Sequence, residues 1–278
     1  MKRIRFLQVP YQIWMTVLIL IPTFVLVILA FSNLELYHIG SFDFTLVHFQ
    51  IFAKSEIINP LLDSFKLSII TTIICFVIGY PVAYYLSSLG DKTRKILMTL
   101  LIVPLWSNML LRIVAWETVF TPSSYFTDLT GLSFNLIGTE TAVIIGMTAM
   151  YLPFMIFPIF SVLEKMDKSL HEASKDLGAS DLQTFLKVTF PLSSGGVISG
   201  VIMTMLPSMT SFVLPARLSL GNTTLIGNII ESKFMKEVLG SQGLSINEGS
   251  IISLAIMIFS ILAFVMITKV DKEGETLI

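Results

Sequence analysis

His171-Glu172 opens like a zinc-hydrolase helix, where two histidines four residues apart share one face and an intervening glutamate serves as base. Lys175 occupies the position the second histidine would need, so the expected metal-ligand set is empty. Gly90-Asp91-Lys92-Thr93 carries some ingredients of a phosphate-cradling loop but lacks the adjacent Gly-Lys and the upstream glycine. Gly178-Ala179-Ser180 has no nearby His or Asp to activate the serine, and His38 and His48 lie in a different loop. No catalytic residue is assigned. What remains is a different chemistry: Arg112, Trp116 and Glu117 sit within or at the edge of an apolar run. Polar groups are expensive in hydrocarbon, so each is a functional candidate by default.

The elements that must position these residues follow from composition. The chain is 54% hydrophobic and only 13% charged, with a mean hydropathy of +0.82, outside the range of ordinary soluble domains. A helix needs about 20 apolar residues to cross roughly 30 Å of hydrocarbon. Six runs meet that length, at about residues 12–32, 61–89, 97–121, 139–163, 188–215 and 248–268. The expected fold is all-α, a polytopic membrane protein with six transmembrane helices in a single membrane domain spanning residues 1–278. Pro81 and Pro207 are candidate kinks in the two longest runs. The first run is too long for a secretory signal despite Lys2, Arg3 and Arg5 before it, and is taken as a retained anchor.

Basic residues recur in alternate loops: Lys2, Arg3 and Arg5; Lys92, Arg94 and Lys95; Lys165, Lys168, Lys175 and Lys187; Lys269 and Lys272. The positive-inside tendency puts those segments and both termini in the cytoplasm. The connection over 122–138 has no Lys or Arg and that over 33–60 has only Lys54, as expected outside. The net charge of -1 is uninformative about partners, and nucleic-acid binding finds no support. The single cysteine, Cys75, lies in an apolar run and excludes a disulfide framework.

Residues 164–187 form a polar insert. Ser169 followed by Glu172 has the spacing of a capping box, Gly178 is placed to end the helix, and a second helix can start at Ser180 or Asp181. Leu182, Phe185 and Leu186 would share its face. Two short helices joined at a glycine make a compact knob; periodicity alone equally allows an amphipathic loop lying on the membrane.

Glu172-Ala173-Ser174 and Gly178, with the return to apolar sequence at Val188-Thr189-Phe190-Pro191, resemble the EAA loop of ABC importer permeases. That loop docks on the ATP-hydrolysing subunit, and the resemblance marks Glu172, Ala173, Ser174, Gly178 and Pro191 as coupling residues. Further segments extend it from about residue 60 onward: Ile102-Val103-Pro104-Leu105-Trp106-Ser107-Asn108, Leu111-Arg112-Ile113, Leu152-Pro153-Phe154, Met205-Leu206-Pro207 and Leu225-Ile226-Gly227-Asn228. Together they resemble the spermidine/putrescine (polyamine) branch of these permeases, PotB-type. The implied fold is that of a type I, MetI-like importer permease. Ser174 in place of a third small residue and Phe190 before Pro191 are departures from the family pattern.

The resemblance implies a subunit that is not itself an enzyme and binds no cofactor, with ATP and Mg held by partner subunits. Its implied partners are a homologous PotC-type permease, two copies of an ATP-binding subunit and an extracytoplasmic polyamine-binding protein. A polyamine needs carboxylates for its ammonium groups and aromatic faces along its stem, which nominates Trp106, Trp116, Glu117 and Tyr151 as lining residues. Packing or interface anchoring is the competing account of each. At about 1.5 Å per residue, a straight third helix would put Glu117 roughly 30 Å from Leu97, at the outer mouth. Arg112 and Trp116 are spaced to stack, whereas Arg112 and Glu117 are not spaced to pair. Pro207 and Ser208 are candidates for a kink or moving gate. The outer segment, about 216–247, offers a re-entrant or surface helix where the family would receive its binding protein. A stand-alone channel, a secondary transporter, or an importer for another small solute are the alternatives.

Overall fold

The computed structural model describes residues 2–33, 43–122, 125–238 and 245–275. His38 and residues 239–244 of the expected outer segment lie outside them. The chain is helical: α1 (Lys2–Ala30), a 3-10 turn (Val47–Ala53), α2 (Ser55–Ser88), α3 (Asp91–Trp106), α4 (Met109–Phe120), α5 (Tyr125–Thr130) and α6 (Glu140–Lys165). There follow α7 (Lys168–Asp176), α8 (Asp181–Thr184), a π-helical turn (Phe185–Thr189), α9 (Phe190–Leu192), α10 (Ser194–Met209), α11 (Val213–Leu218), α12 (Ile226–Val238) and α13 (Ser245–Glu275). Among the described residues the only β-type pairing outside helices is an isolated bridge between Ser32 and Phe44.

Four helices are long and apolar enough to cross a membrane, over Pro10–Ala30, Ser55–Ser88, Glu140–Lys165 and Ile246–Val265. Two bent pairs raise the number to six if each is one span: α3 with α4, bent by 96°, and Asp181–Leu192 with α10, bent by 62°. The third and fifth expected spans are therefore broken rather than continuous. Asn108 explains the first break. Its side chain accepts from the Leu110 amide at 2.8 Å and caps a new helix, while extended backbone at Ser107 closes the old one. In the second, Pro191 has no amide to give the Lys187 carbonyl, and the Phe190 amide bonds the Phe185 carbonyl in the π pattern just before it. Pro207 lies inside α10, two residues before its last residue Met209, and the chain restarts at α11 after Thr210–Phe212.

The residues divide into two compact units, Met1–Asn59 with Asn228–Leu262, and Pro60–Gly227 with Ala263–Ile278. In the first, Asn247 donates to the Leu29 carbonyl at 2.9 Å and the Ser32 carbonyl at 2.6 Å, tying the end of α1 to the start of α13. His48 Nε2 donates to Ser32 at 3.0 Å, and Glu248 receives both Lys54 and Lys233. The second unit holds two apolar clusters. Leu67, Ile113, Phe120, Met147, Met150, Leu214 and Leu218 bring α4, α6 and α11 together. Cys75, Tyr80, Ala83, Met155, Ile156, Ile159 and Phe160 join α2 to α6. Cys75 is fully buried there.

The Leu225-Ile226-Gly227-Asn228 segment has a packing reason. Leu225 and Ile226 are fully buried, and the Ile226 amide donates to Ser64 Oγ at 2.8 Å. The segment expected as a surface helix thus begins as a buried helix start.

Candidate functional site

The polar insert folds as the expected two-helix knob. Its first cap differs: α7 starts at Lys168, and Asp167 rather than Ser169 is the N-cap, accepting from the Ser169 amide at 2.9 Å. The Ser169–Glu172 capping box does not form because the helix begins earlier than the spacing suggests. Hydrogen bonds from the Ser169 backbone and then its side chain hold the Asp167 carboxyl below the usual carboxylate range. A depressed native pKa means the cap is at full strength above the ordinary carboxylate range and is lost as pH falls through the native value. Protection factors of the α7 amides, which remove the intrinsic pH dependence of exchange, are expected to hold from neutral pH down through the ordinary carboxylate range and to fall only below it. In Asp167→Asn, which caps without a charge, that acid-induced loss of protection should vanish.

Gly178 ends α7 with φ of 82°. Its amide bonds the Lys175 carbonyl at 2.8 Å and the Ala179 amide bonds Ser174 at 3.1 Å, the arrangement that satisfies the last carbonyls of a helix. The second helix starts where expected, with Ser180 and Gln183 forming a complete capping box. Two contacts cross the knob. Ser174 Oγ and the buried Thr184 Oγ1 are 2.9 Å apart, and Lys175 pairs with Asp181 at 2.9 Å. The hydrogen bond and charge of Asp181 raise the Lys175 pKa. The departure at Ser174 thus supplies a cross-brace that an alanine would lack.

The apolar face of α8 splits. Leu182 and Leu186 are exposed, whereas Phe185 turns toward Tyr80 and Tyr84, with ring centroids at 5.6 and 5.7 Å. Leu177, 90% exposed, is a third bare leucine in the same insert. Glu172 lines a pocket of about 300 Å³ with Tyr84, Arg94, Glu164 and His171. Arg94 Nε lies 3.4 Å from Glu164, joining the start of α3 to the end of α6 beside the knob. Among the described residues no group of three or more His, Cys, Asp or Glu side chains is placed to hold a metal ion.

The intramembrane candidates are only partly brought together. Trp106 is 88% exposed at the end of α3, before the break. The 96° bend also removes the basis for putting Glu117 at the end of a straight 30 Å run. Trp116 packs on Phe120 with ring centroids at 5.3 Å, against the cluster that contains Tyr151. The partner of Glu117 is Arg217, whose Nε lies 3.9 Å away and joins α4 to α11. Nothing in local spacing announces Arg217. Tyr151 donates to the Pro207 carbonyl at 3.3 Å, supporting α10 near its end. The Arg112 Nε is buried without an acceptor. Ser208 is buried and donates back to Met205 at 2.9 Å, an i−3 bond beside the proline.

The profile of the family described as "Binding-protein-dependent transport system inner membrane component" matches residues 76–272. The spermidine/putrescine transport system permease protein PotB of Escherichia coli (strain K12) is 34% identical over 228 residues, covering 80% of this chain and 83% of that protein. PotB of Haemophilus influenzae is 33% identical over 257 residues, covering 88% of each. Among solved structures, a chain of a bacterial ABC transporter that imports the acidic polysaccharide alginate superposes with a TM-score of 0.69 at 16% identity, covering 98% of this chain and 95% of that one. A chain of a bacterial alginate ABC transporter in complex with a periplasmic protein that carries alginate pentasaccharide gives 0.70 at 14% identity, over 95% and 92%. At that identity the structures speak to the fold alone. The broken spans, the two-helix knob and the sequence matches agree: the chain is a multi-pass ABC importer permease and belongs to the family of binding-protein-dependent transport system inner membrane components.

Proposed function

We propose that this permease carries spermidine and putrescine inward, pairing with a homologous PotC-type permease and drawing on two copies of an ATP-binding subunit. The observation that carries the substrate class is the 33–34% identity to PotB proteins over 80–88% of the chain. ATP and Mg belong to the partner subunits. An extracytoplasmic polyamine-binding protein delivers the substrate. The loop charges support a cytoplasmic placement of both termini and the knob.

In this reading the knob made by α7 and α8 is the docking element for the ATP-binding subunit. Glu172, Ala173, Ser174 and Gly178 shape it, and Leu177, Leu182 and Leu186 supply apolar anchors. Pro191 marks the point where its motion enters the membrane. Trp116, Glu117 and Tyr151 line the cation path near Arg217, with Trp106 at the edge of the α3–α4 turn. Pro207 and Ser208, at the end of α10, are the kink and gate residues. An inside-negative potential favours entry by about 2.3 kcal/mol per charge per 100 mV, so coupling to ATP serves accumulation beyond that gradient.

Removing the charge at Glu117 tests the path. Glu117→Gln is expected to raise the KM for spermidine uptake roughly tenfold, equal to the loss of one charge-assisted contact, with normal assembly. Unchanged uptake kinetics would take Glu117 out of the pathway. The function itself is tested by ATP-dependent uptake of labelled spermidine and putrescine in vesicles holding this chain and the subunits encoded beside it. An assembled, ATP-hydrolysing complex that moves neither polyamine would sink the substrate assignment.

A further inference from the structure

Two differently anchored segments meet at Ser193. Beyond it, α10 lies flush on α6. A Cβ added at Gly196 would stand 2.9 Å from the Pro158 carbonyl oxygen and 3.0 Å from Ile159 Cα. One added at Gly200 would stand 2.7 Å from Met155 Sδ and 3.1 Å from the Met155 carbonyl oxygen. Backbones this close leave α10 no room to slide on α6. Before Ser193, the segment from Asp181 to Leu192 is held by rings on α2. Tyr80 meets Phe185 and Phe190 with ring centroids at 5.6 Å each, and Phe76 meets Tyr80 at 5.8 Å. The two segments differ in direction by 62°.

At the joint the Tyr80 hydroxyl and Ser193 Oγ are 2.7 Å apart. Ser193 Oγ also lies 3.0 Å from the Phe190 carbonyl, which can accept its proton while Tyr80 donates to Ser193. Both residues are buried, Ser193 completely. A hydroxyl in such surroundings is costly without an acceptor. Ser193 keeps Phe190 as a partner whether or not Tyr80 is present; Tyr80 has no comparable alternative. The bond is therefore sensitive to the bend angle at one end only. The π-helical turn just before it closes its hydrogen bonds over five residues instead of four.

We propose that the Tyr80–Ser193 hydrogen bond is a latch that sets the bend between the knob-bearing segment and α10. Tyr80 is the positioning residue that passes knob movement to α2. The aromatic contacts let the Asp181–Leu192 segment roll against α2, and the hydroxyl pair selects one of two angles. Breaking the latch frees the knob to move without carrying α6 and α10 along. This rests on the reading of the knob as the docking element for the ATP-binding subunit.

The test uses the assembled complex, with spin labels at Lys187→Cys and Met203→Cys on either side of the joint in a Cys75→Ala background. Label-to-label distances are measured with and without ATP, beside uptake per ATP hydrolysed. In the parent complex ATP should move the distance between two values. In Tyr80→Phe both values should already be populated without nucleotide, and uptake per ATP should fall about fivefold, the population shift one buried hydrogen bond supports. Ser193→Ala should behave alike, the double variant no worse than either, and Ser193→Thr, which keeps the hydroxyl, should restore the parent pattern. Parent distances and parent coupling in Tyr80→Phe would overturn the latch. A parent complex that hydrolyses ATP without any change in distance would also overturn the latch, whereas an ATP-binding subunit that co-purifies unchanged with a permease lacking residues 168–184 would overturn the docking reading.

Discussion

Replacing Gly227 with alanine is expected to cost about 3 kcal/mol of stability and to lower accumulation of folded permease sharply. A Cβ at this position would lie 2.4 Å from the Thr210 carbonyl oxygen and 2.9 Å from that of Ser211. Both are backbone atoms, so no side-chain rotation relieves the contact. They belong to the stretch between α10 and α11, which cannot retreat freely. Thr210 is held through the Leu206 carbonyl at 3.4 Å, and the neighbouring Ile226 amide is spent on Ser64. Inserting one carbon into a well-packed site costs about 1–3 kcal/mol, and a clash with fixed backbone belongs at the upper end. That is a large share of a typical stability of about 5–15 kcal/mol. Size-exclusion profiles of detergent-solubilised protein should show a much smaller monodisperse peak than the parent. Gly178→Ala is the informative contrast. No atom lies within 4 Å of its added Cβ, so only the cost of a left-handed conformation remains, about 1–2 kcal/mol. That variant should still accumulate.

Reversing the charge at Glu172 should cut ATP-driven uptake by more than about tenfold while the permease still folds. Glu172 is exposed and has no described hydrogen bond or ion pair, so its loss removes no internal support. It lines the pocket that also holds Arg94 and His171, and Glu172→Lys would place a new cation beside that guanidinium. On a face built to meet another protein, a misplaced like charge costs several kcal/mol. The measurement is uptake together with co-purification of the ATP-binding subunit. Lost uptake with a normally folded permease supports the knob as the coupling element. Parent-level uptake would mean that coupling runs elsewhere.

The readable parts of this structure were those written in local spacing. Apolar runs longer than a bilayer is thick located the spans, a glycine after a polar turn located the end of α7, and the spacing of Leu182, Phe185 and Leu186 located the start of α8 at Ser180 or Asp181. The first cap was misread because Asp167 and Ser169 are both good acceptors two residues apart. Only geometry tells which one holds the free amides. The break at Asn108 was hidden by hydropathy, which averages over a window and scores a bent pair like a straight helix. Arg217 beside Glu117 and Ser193 beside Tyr80 join distant parts of the chain, and no periodicity encodes such meetings. The role of Gly227 was invisible for the same reason: its neighbours are carbonyls, and every residue has one.

The turn between α3 and α4 carries a consequence for the bilayer itself. With 16 and 12 residues, the two helices are about 24 and 18 Å long, and neither reaches across hydrocarbon alone. Between them the backbone drops its regular bonding, and Ser107 and Asn108 partly make up the loss by bonding the Pro104 carbonyl and the Leu110 amide. Acyl chains offer nothing to the remaining polar groups. This turn is a stretch of chain that lipid cannot solvate, and in the membrane it must face water or another protein surface. The lipid thereby sorts the faces of the molecule: it is free to coat the unbroken flank of α1 and is turned away from the notch at Asn108.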